Sequence, residues 1–154
     1  MVQSGSDAPA EGRFDGTEHR FPVRVYFEDT DLSGVVYHAN YLRFMERARS
    51  DMLRMTGIDQ RAAHEAGEGA YAVAALAIRY RAPARLDDAL VVTTRIVAVR
   101  AASIDIHQTV SRDAVILTDA DVTAALVAAD GRPRRHPAEW RANYQSLVIQ
   151  RDTP

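Results

Sequence analysis

The residues best equipped for chemistry in this 154-residue chain lie between Arg24 and Glu46. An acidic turn, Glu28-Asp29-Thr30-Asp31, precedes Gly34, and Tyr37-His38-Ala39-Asn40-Tyr41 then leads into a helical pattern. The first N–H groups of a helix have no intrahelical partner, and the helix dipole adds partial positive charge there. A carboxylate beside such donors suits attack on an ester or thioester carbonyl. It can attack the carbonyl to form a mixed anhydride, or deprotonate water, while an N–H donor stabilises the developing oxyanion.

Asp31 is the leading candidate, because it sits where the chain must turn from strand to helix. Asp also favours turns for its own sake, so on pattern alone Asp29 and Asp31 read first as turn formers. The His38 ring could exchange protons near neutral pH. Its backbone N–H, at the helix start, is the more useful group, and the imidazole itself reads as a surface or packed ring. Asn40 reads first as a helix cap. Glu46 lies mid-helix with Arg43 three positions before it and Ser50 four after, which suggests surface pairing. It is the backup catalytic carboxylate. His19, His64, His107 and His136 show no metal-site spacing. The sets Arg79, Arg81, Arg85 and Arg132, Arg134, Arg135 read as solvated charges. Either set could hold a phosphate, since Arg pairs directionally with phosphate oxygens. No glycine-rich phosphate loop or serine elbow accompanies them.

These residues need elements to position them. Phe21, Val23, Val25 and Phe27 alternate with Pro22, Arg24, Tyr26 and Glu28, the period of a half-buried strand. From Asn40, apolar residues at 41, 44, 45, 48, 52 and 55 predict a helix with a wide apolar face, and Gly57 predicts its stop. A short helix is expected over 58–66, followed by a buried strand over 70–80. Further strands are expected over 90–100, 103–110 and 114–128, with Asp130-Gly131 as a turn. Successive strands with short connections favour an antiparallel sheet covering the apolar helix, an α+β layer. Trp140 and Tyr144 suggest a short C-terminal helix.

Composition excludes several classes. A formal net charge of -2 gives no general attraction to nucleic acid or anionic lipid. With no cysteine there is no disulfide, thiolate nucleophile or Cys-based zinc site. Residues 1–20 lack the basic start and apolar stretch of a signal peptide and read as a flexible tail. Residues 21–137 form the expected domain, residues 138–154 a C-terminal extension, and the expected location is cytoplasmic.

Two stretches carry a resemblance to a known family. Val25-Tyr26-Phe27-Glu28-Asp29-Thr30-Asp31, continued by Gly34-Val35-Val36-Tyr37-His38-Ala39-Asn40-Tyr41 and Glu46-Arg47-Ala48-Arg49, is the first. Arg79-Tyr80-Arg81-Ala82-Pro83-Ala84-Arg85-Leu86-Asp87-Asp88 is the second. Together they resemble the hotdog-fold acyl-CoA thioesterases, in the 4-hydroxybenzoyl-CoA thioesterase-like group and its Tol–Pal-associated branch. The resemblance implies a long central helix wrapped by a curved antiparallel sheet, in homodimers that often pair into tetramers, with sites at subunit interfaces. It implies an acyl-CoA or acyl-carrier-protein thioester as substrate, with coenzyme A part of the substrate and no metal or redox cofactor. Peripheral association with the cell-envelope Tol–Pal system would follow from the branch. Asp31 matches the family's catalytic carboxylate, and His38 its helix-start amide donor. Tyr37, Asn40 and Gly34 fall in the same motif and are expected to shape the acyl pocket. Arg81, Arg85, Arg134 and Arg135 carry over weakly as contacts for the CoA phosphates. Two other functions fit the same pattern: hydration or dehydration of an acyl thioester using the His38 ring, and non-enzymatic acyl-CoA sensing by an envelope-complex partner.

Overall fold

The three- to four-residue apolar spacing after Asn40 folds as helix α1, Asn40–Met55, in a computed structural model that describes residues 5–148. Six strands form one sheet: β1 Arg13–Asp15, β2 Glu18–Arg24, β3 Ala70–Tyr80, β4 Ala89–Val99, β5 Ser103–Arg112 and β6 Val115–Val127. Two shorter helices, α2 Gln60–Glu65 and α3 Ala138–Leu147, complete the order. The strand order is β1-β2-β4-β5-β6-β3, with neighbours antiparallel throughout. This is the expected α+β arrangement of a long helix against a curved antiparallel sheet.

One apolar cluster joins the two layers. Tyr41, Phe44, Met45, Ala48, Met52 and Leu53 of α1 meet Phe21, Val23, Leu90, Val92, Ile106, Val110 and Val122 of the sheet. Fully burying a large apolar side chain is worth roughly 1.5–3 kcal/mol, so packing rather than propensity holds α1 in place. Gln108, a buried polar residue on β5, ties the layers further. Its amide donates to the Met45 carbonyl (2.9 Å) and to Thr94 Oγ1 (3.0 Å), and its oxygen accepts from Arg49 (3.0 Å). The helix ends as Gly57 predicts. Gly57 takes φ +86°, while Ile58 N–H donates to Leu53 O (3.0 Å) and Gly57 N–H to Arg54 O (3.1 Å), a Schellman closure.

Several expectations need correction. Residues 13–20, assigned to the tail, include β1 and the start of β2. Gly16 at φ +62° makes the tight turn between these strands, and Asp15-Gly16 is the hairpin signal that the tail reading passed over. The β2 alternation stops at Val25: Phe27 enters a short 3₁₀ turn, Phe27–Asp29, and is 82% exposed. Met55 is exposed, whereas Asp51 is buried on α1 against His19, with Nε2 to Oδ2 at 2.7 Å. Gly12 N–H donates to the same carboxylate oxygen (2.9 Å), tying the N-terminal segment to the helix.

Strand β3 runs over the expected residues but is not buried: Val73 is 50% and Leu76 41% exposed. Among the described residues it lies last in the sheet and pairs only with β6, which leaves its outer edge open there. The C-terminal helix is integral rather than appended. Tyr144 is fully buried, and the Tyr71 hydroxyl lies 2.8 Å from both the Tyr144 hydroxyl and His136 Nδ1. Residues 1–4 of the expected tail and 149–154 of the expected extension lie outside the described residues. Among those described, no helix is long and apolar enough to cross a membrane.

Candidate active site

The chain leaves the 3₁₀ turn at Thr30 and doubles back. Thr30 bridges Val36, and Asp31 N–H donates to Val35 O (3.0 Å). Gly34 N–H closes the turn onto Asp31 O (3.0 Å), with Gly34 at φ +79°, a conformation a side chain would strain. The two arms of this hairpin bring Asp31 alongside the segment that starts α1.

Asp31 is exposed, and both its hydrogen bonds use one oxygen. Ser33 donates to Oδ1 through its hydroxyl and through its amide (2.9 Å). Oδ2 has no partner among the described residues. The Ser33 hydroxyl, then its amide, hold the Asp31 carboxyl below the usual aspartate range, and the charge of nearby His38 lowers it further. The group is therefore a carboxylate at neutral pH, with one oxygen fixed and one open. The spacing Asp31-Leu32-Ser33 is a recognisable side-chain turn; Ser33 was legible in the sequence and was overlooked.

The His38 backbone has the geometry of a positioned donor. Its N–H donates to no atom among the described residues, and the ring is likewise unbonded. The other end of the same peptide unit, Tyr37 O, accepts from Asn40 N–H (2.8 Å). In a trans peptide C=O and N–H point oppositely, so pinning the carbonyl aims the His38 N–H away from the helix. Tyr37 N–H donates to Asp29 O (2.8 Å), and the exposed Tyr37 ring lies 4.6 Å from the His38 ring, centroid to centroid.

Asn40 departs from expectation. It is the first residue of α1, and the cap position is Ala39, with no side-chain cap bond. The buried Asn40 amide instead donates to Asp29 O (3.1 Å). Asp29 O thus gathers Tyr37 and Asn40 and ties the acidic turn to the helix start.

The arginine candidates separate. Arg81 borders a shallow cavity with His38, Tyr41, Tyr80 and Pro83, and pairs with Asp119 at 2.9 Å. Arg85 is exposed and its backbone bridges Val35, so it stands beside the acidic turn. Arg134 donates to Gly67 O at the far end of β3, and Arg135 is exposed next to it. Those two are not brought to Asp31 within one chain. Neither is Glu46, which makes no ion pair among the described residues. It borders a separate cavity with Arg49, Ser50, Tyr71 and Ile104. In that cavity wall the Arg49 guanidinium is pushed below its usual pKa by burial, with Glu46 opposing.

Comparison with known proteins gives the family of the chain. The sequence profile of the Thioesterase-like superfamily matches residues 25–145. Acyl-CoA thioesterase YbgC of Haemophilus influenzae is 43% identical over 128 residues, 82% of this chain and 94% of the relative. Acyl-CoA thioester hydrolase YbgC of Escherichia coli O6:H1 is 45% identical over 131 residues, 84% of this chain and 97% of the relative. Among solved structures, a probable thioesterase from Bartonella henselae superposes with a TM-score of 0.75 at 40% identity, covering 78% of this chain and 99% of that one. By profile, by identity over most of its length and by a long helix packed on a curved antiparallel sheet, this chain belongs to the thioesterase-like superfamily and has the hotdog fold.

Proposed function

We propose that this chain hydrolyses acyl-CoA thioesters to the free acid and CoA, with Asp31 as the reacting carboxylate and the His38 N–H as the carbonyl donor. The observation that carries the reading is the pairing of an ionised carboxylate, one oxygen open, with a peptide N–H pinned outward at a helix start. The names of the similar proteins support acyl-CoA as the substrate class. The thioester oxygen accepts from His38 N–H, which stabilises the tetrahedral oxyanion. Asp31 Oδ2 then attacks the acyl carbon, the C–S bond breaks and CoA thiolate leaves; water opens the mixed anhydride and returns the carboxylate. In the other route Asp31 takes a proton from water as that water attacks. A carboxyl held below its usual range is a weak base but remains an anion, which favours direct attack.

Arg85, beside the acidic turn, and Arg81, in the shallow cavity with His38, are the residues of this chain proposed to meet the CoA phosphates. A second copy of the chain is proposed to cover β3, because an exposed apolar edge strand of 11 residues is otherwise a template for aggregation. Antiparallel pairing would lay the Ala70 end of one copy beside the Tyr80 end of the other.

The test is free-CoA release across a panel of acyl-CoAs. Wild-type protein should hydrolyse at least one class, Asp31→Asn should be slower by on the order of 10²-fold, and His38→Ala should keep substantial activity because its N–H remains. Wild-type protein inactive on the whole panel would favour an acyl-CoA sensor, and loss in His38→Ala would favour ring chemistry. Single turnover in oxygen-18 water separates the two routes. Label in Asp31 supports the anhydride, and its absence counts against an anhydride opened at the aspartyl carbon.

A further inference from the structure

Two peptide units meet at the His38 Cα, and both of their carbonyls are occupied. Tyr37 O accepts from Asn40 N–H, as described above. The next carbonyl, His38 O, accepts from the Tyr80 hydroxyl at 2.8 Å, its only donor among the described residues. Tyr80 is the last residue of β3, 42 positions away, and its ring stands edge-on to His38 (6.1 Å) and to Tyr41 (5.6 Å). The residues after Tyr80 grip the same segment from its other side. Val36 N–H donates to Ala84 O (2.9 Å), and Ala84 N–H donates to the Tyr41 hydroxyl (3.0 Å).

We propose that Tyr80 is a positioning residue for thioester hydrolysis: its hydroxyl fixes the His38 carbonyl so that the adjoining His38 N–H stays aimed at the substrate oxygen. This rests on the reading of His38 as the amide donor. Two effects follow from the geometry. Rotation about the His38 backbone bonds would move both peptide planes, and the Tyr80 bond opposes that rotation at the one carbonyl the helix leaves free. A bare carbonyl one residue from a developing oxyanion would also repel it, and a hydroxyl proton on that carbonyl blunts the repulsion. Burial pushes the Tyr80 phenol above its usual pKa, so it remains a protonated donor across the working range. The second sequence motif thereby gains a task beyond CoA contact, since its first aromatic residue holds the donor that the first motif presents.

The experiment compares wild-type protein, Asp31→Asn and Tyr80→Phe on the acyl-CoA that wild type hydrolyses best, with kcat, KM and melting temperature measured for each. Tyr80→Phe keeps the ring packing and deletes only the hydroxyl. The expected result is a kcat lower by about tenfold, the scale of one neutral hydrogen bond, with KM and melting temperature close to wild type. Hydrogen exchange at the Asn40 amide, which reports whether the Tyr37–His38 unit stays pinned, should quicken in the same variant. Unchanged kcat in Tyr80→Phe, with Asp31→Asn inactive, overturns the positioning role and leaves the thioesterase reading standing. A kcat loss matched by a large fall in melting temperature overturns it in favour of a structural role. Wild-type protein without activity on any acyl-CoA overturns both readings together.

Discussion

Asp31 illustrates how little of a carboxylate's chemistry resides in its own side chain. Taken as a lone turn residue it would titrate like any exposed aspartate. Two bonds from Ser33 make it a stronger acid and leave Oδ2 without a partner among the described residues. A lowered pKa means that the ionised form persists to lower pH. The acid limb of kcat/KM should therefore fall below pH about 3.9, the ordinary aspartate value. Ser33→Ala removes the largest cause of the shift, so the limb should move up toward that value while the neutral-pH rate changes less. A pH–rate profile of the two proteins, taken over the range where both stay folded, checks this. An unmoved limb would mean that Ser33 does not set the acidity of the proposed reacting group. The other polar contacts of the site follow a similar pattern: Asn40 serves Asp29 O instead of the helix cap, and Tyr80 serves a carbonyl rather than solvent.

At the scale of elements, the helix is the part most clearly written in the sequence. Its start at Asn40, the buried apolar positions 41, 44, 45, 48 and 52, and its stop at Gly57 all follow from period and from one glycine. Gly57→Ala tests that stop in isolation, because a Cβ there meets nothing within 4 Å and only the positive φ opposes it. The cost should be about 1 kcal/mol, a melting temperature lower by roughly 3 °C, read by thermal unfolding. An unchanged melting temperature would show that the left-handed closure is not what ends α1. The strands were legible as strands, β3 over its full span, but their order was not. Alternation says which residues share a face and nothing about which strand lies at an edge, so β3 was expected to be buried and is half-exposed. The first hairpin was missed because polar composition outweighed its Asp15-Gly16 turn. The catalytic candidates were legible as a motif and Tyr80 lay in a second one, but its bond to His38 was not legible, since no local spacing relates position 80 to position 38.

For the whole molecule, the open side of β3 is where the proposed pairing of two copies would form. Leu76 sits near the middle of that strand and is 41% exposed. Leu76→Asp places a charge where a second copy would pack, so sedimentation should show the mass fall from an assembly toward a single chain; a single-chain mass already in wild-type protein would sink the proposed pairing. The strand has 11 residues, which at about 3.3 Å each separates its ends by roughly 35 Å. Tyr80 and the His38 donor stand at one end, and Gly67 with Arg134 at the other. Paired head to tail about its centre, the strand would act as a ruler that delivers the distant arginines of one copy to the donor end of its mate. Turnover per chain would then depend on protein concentration: diluted below the dissociation constant of the pair, the copies would separate and lose part of their substrate grip.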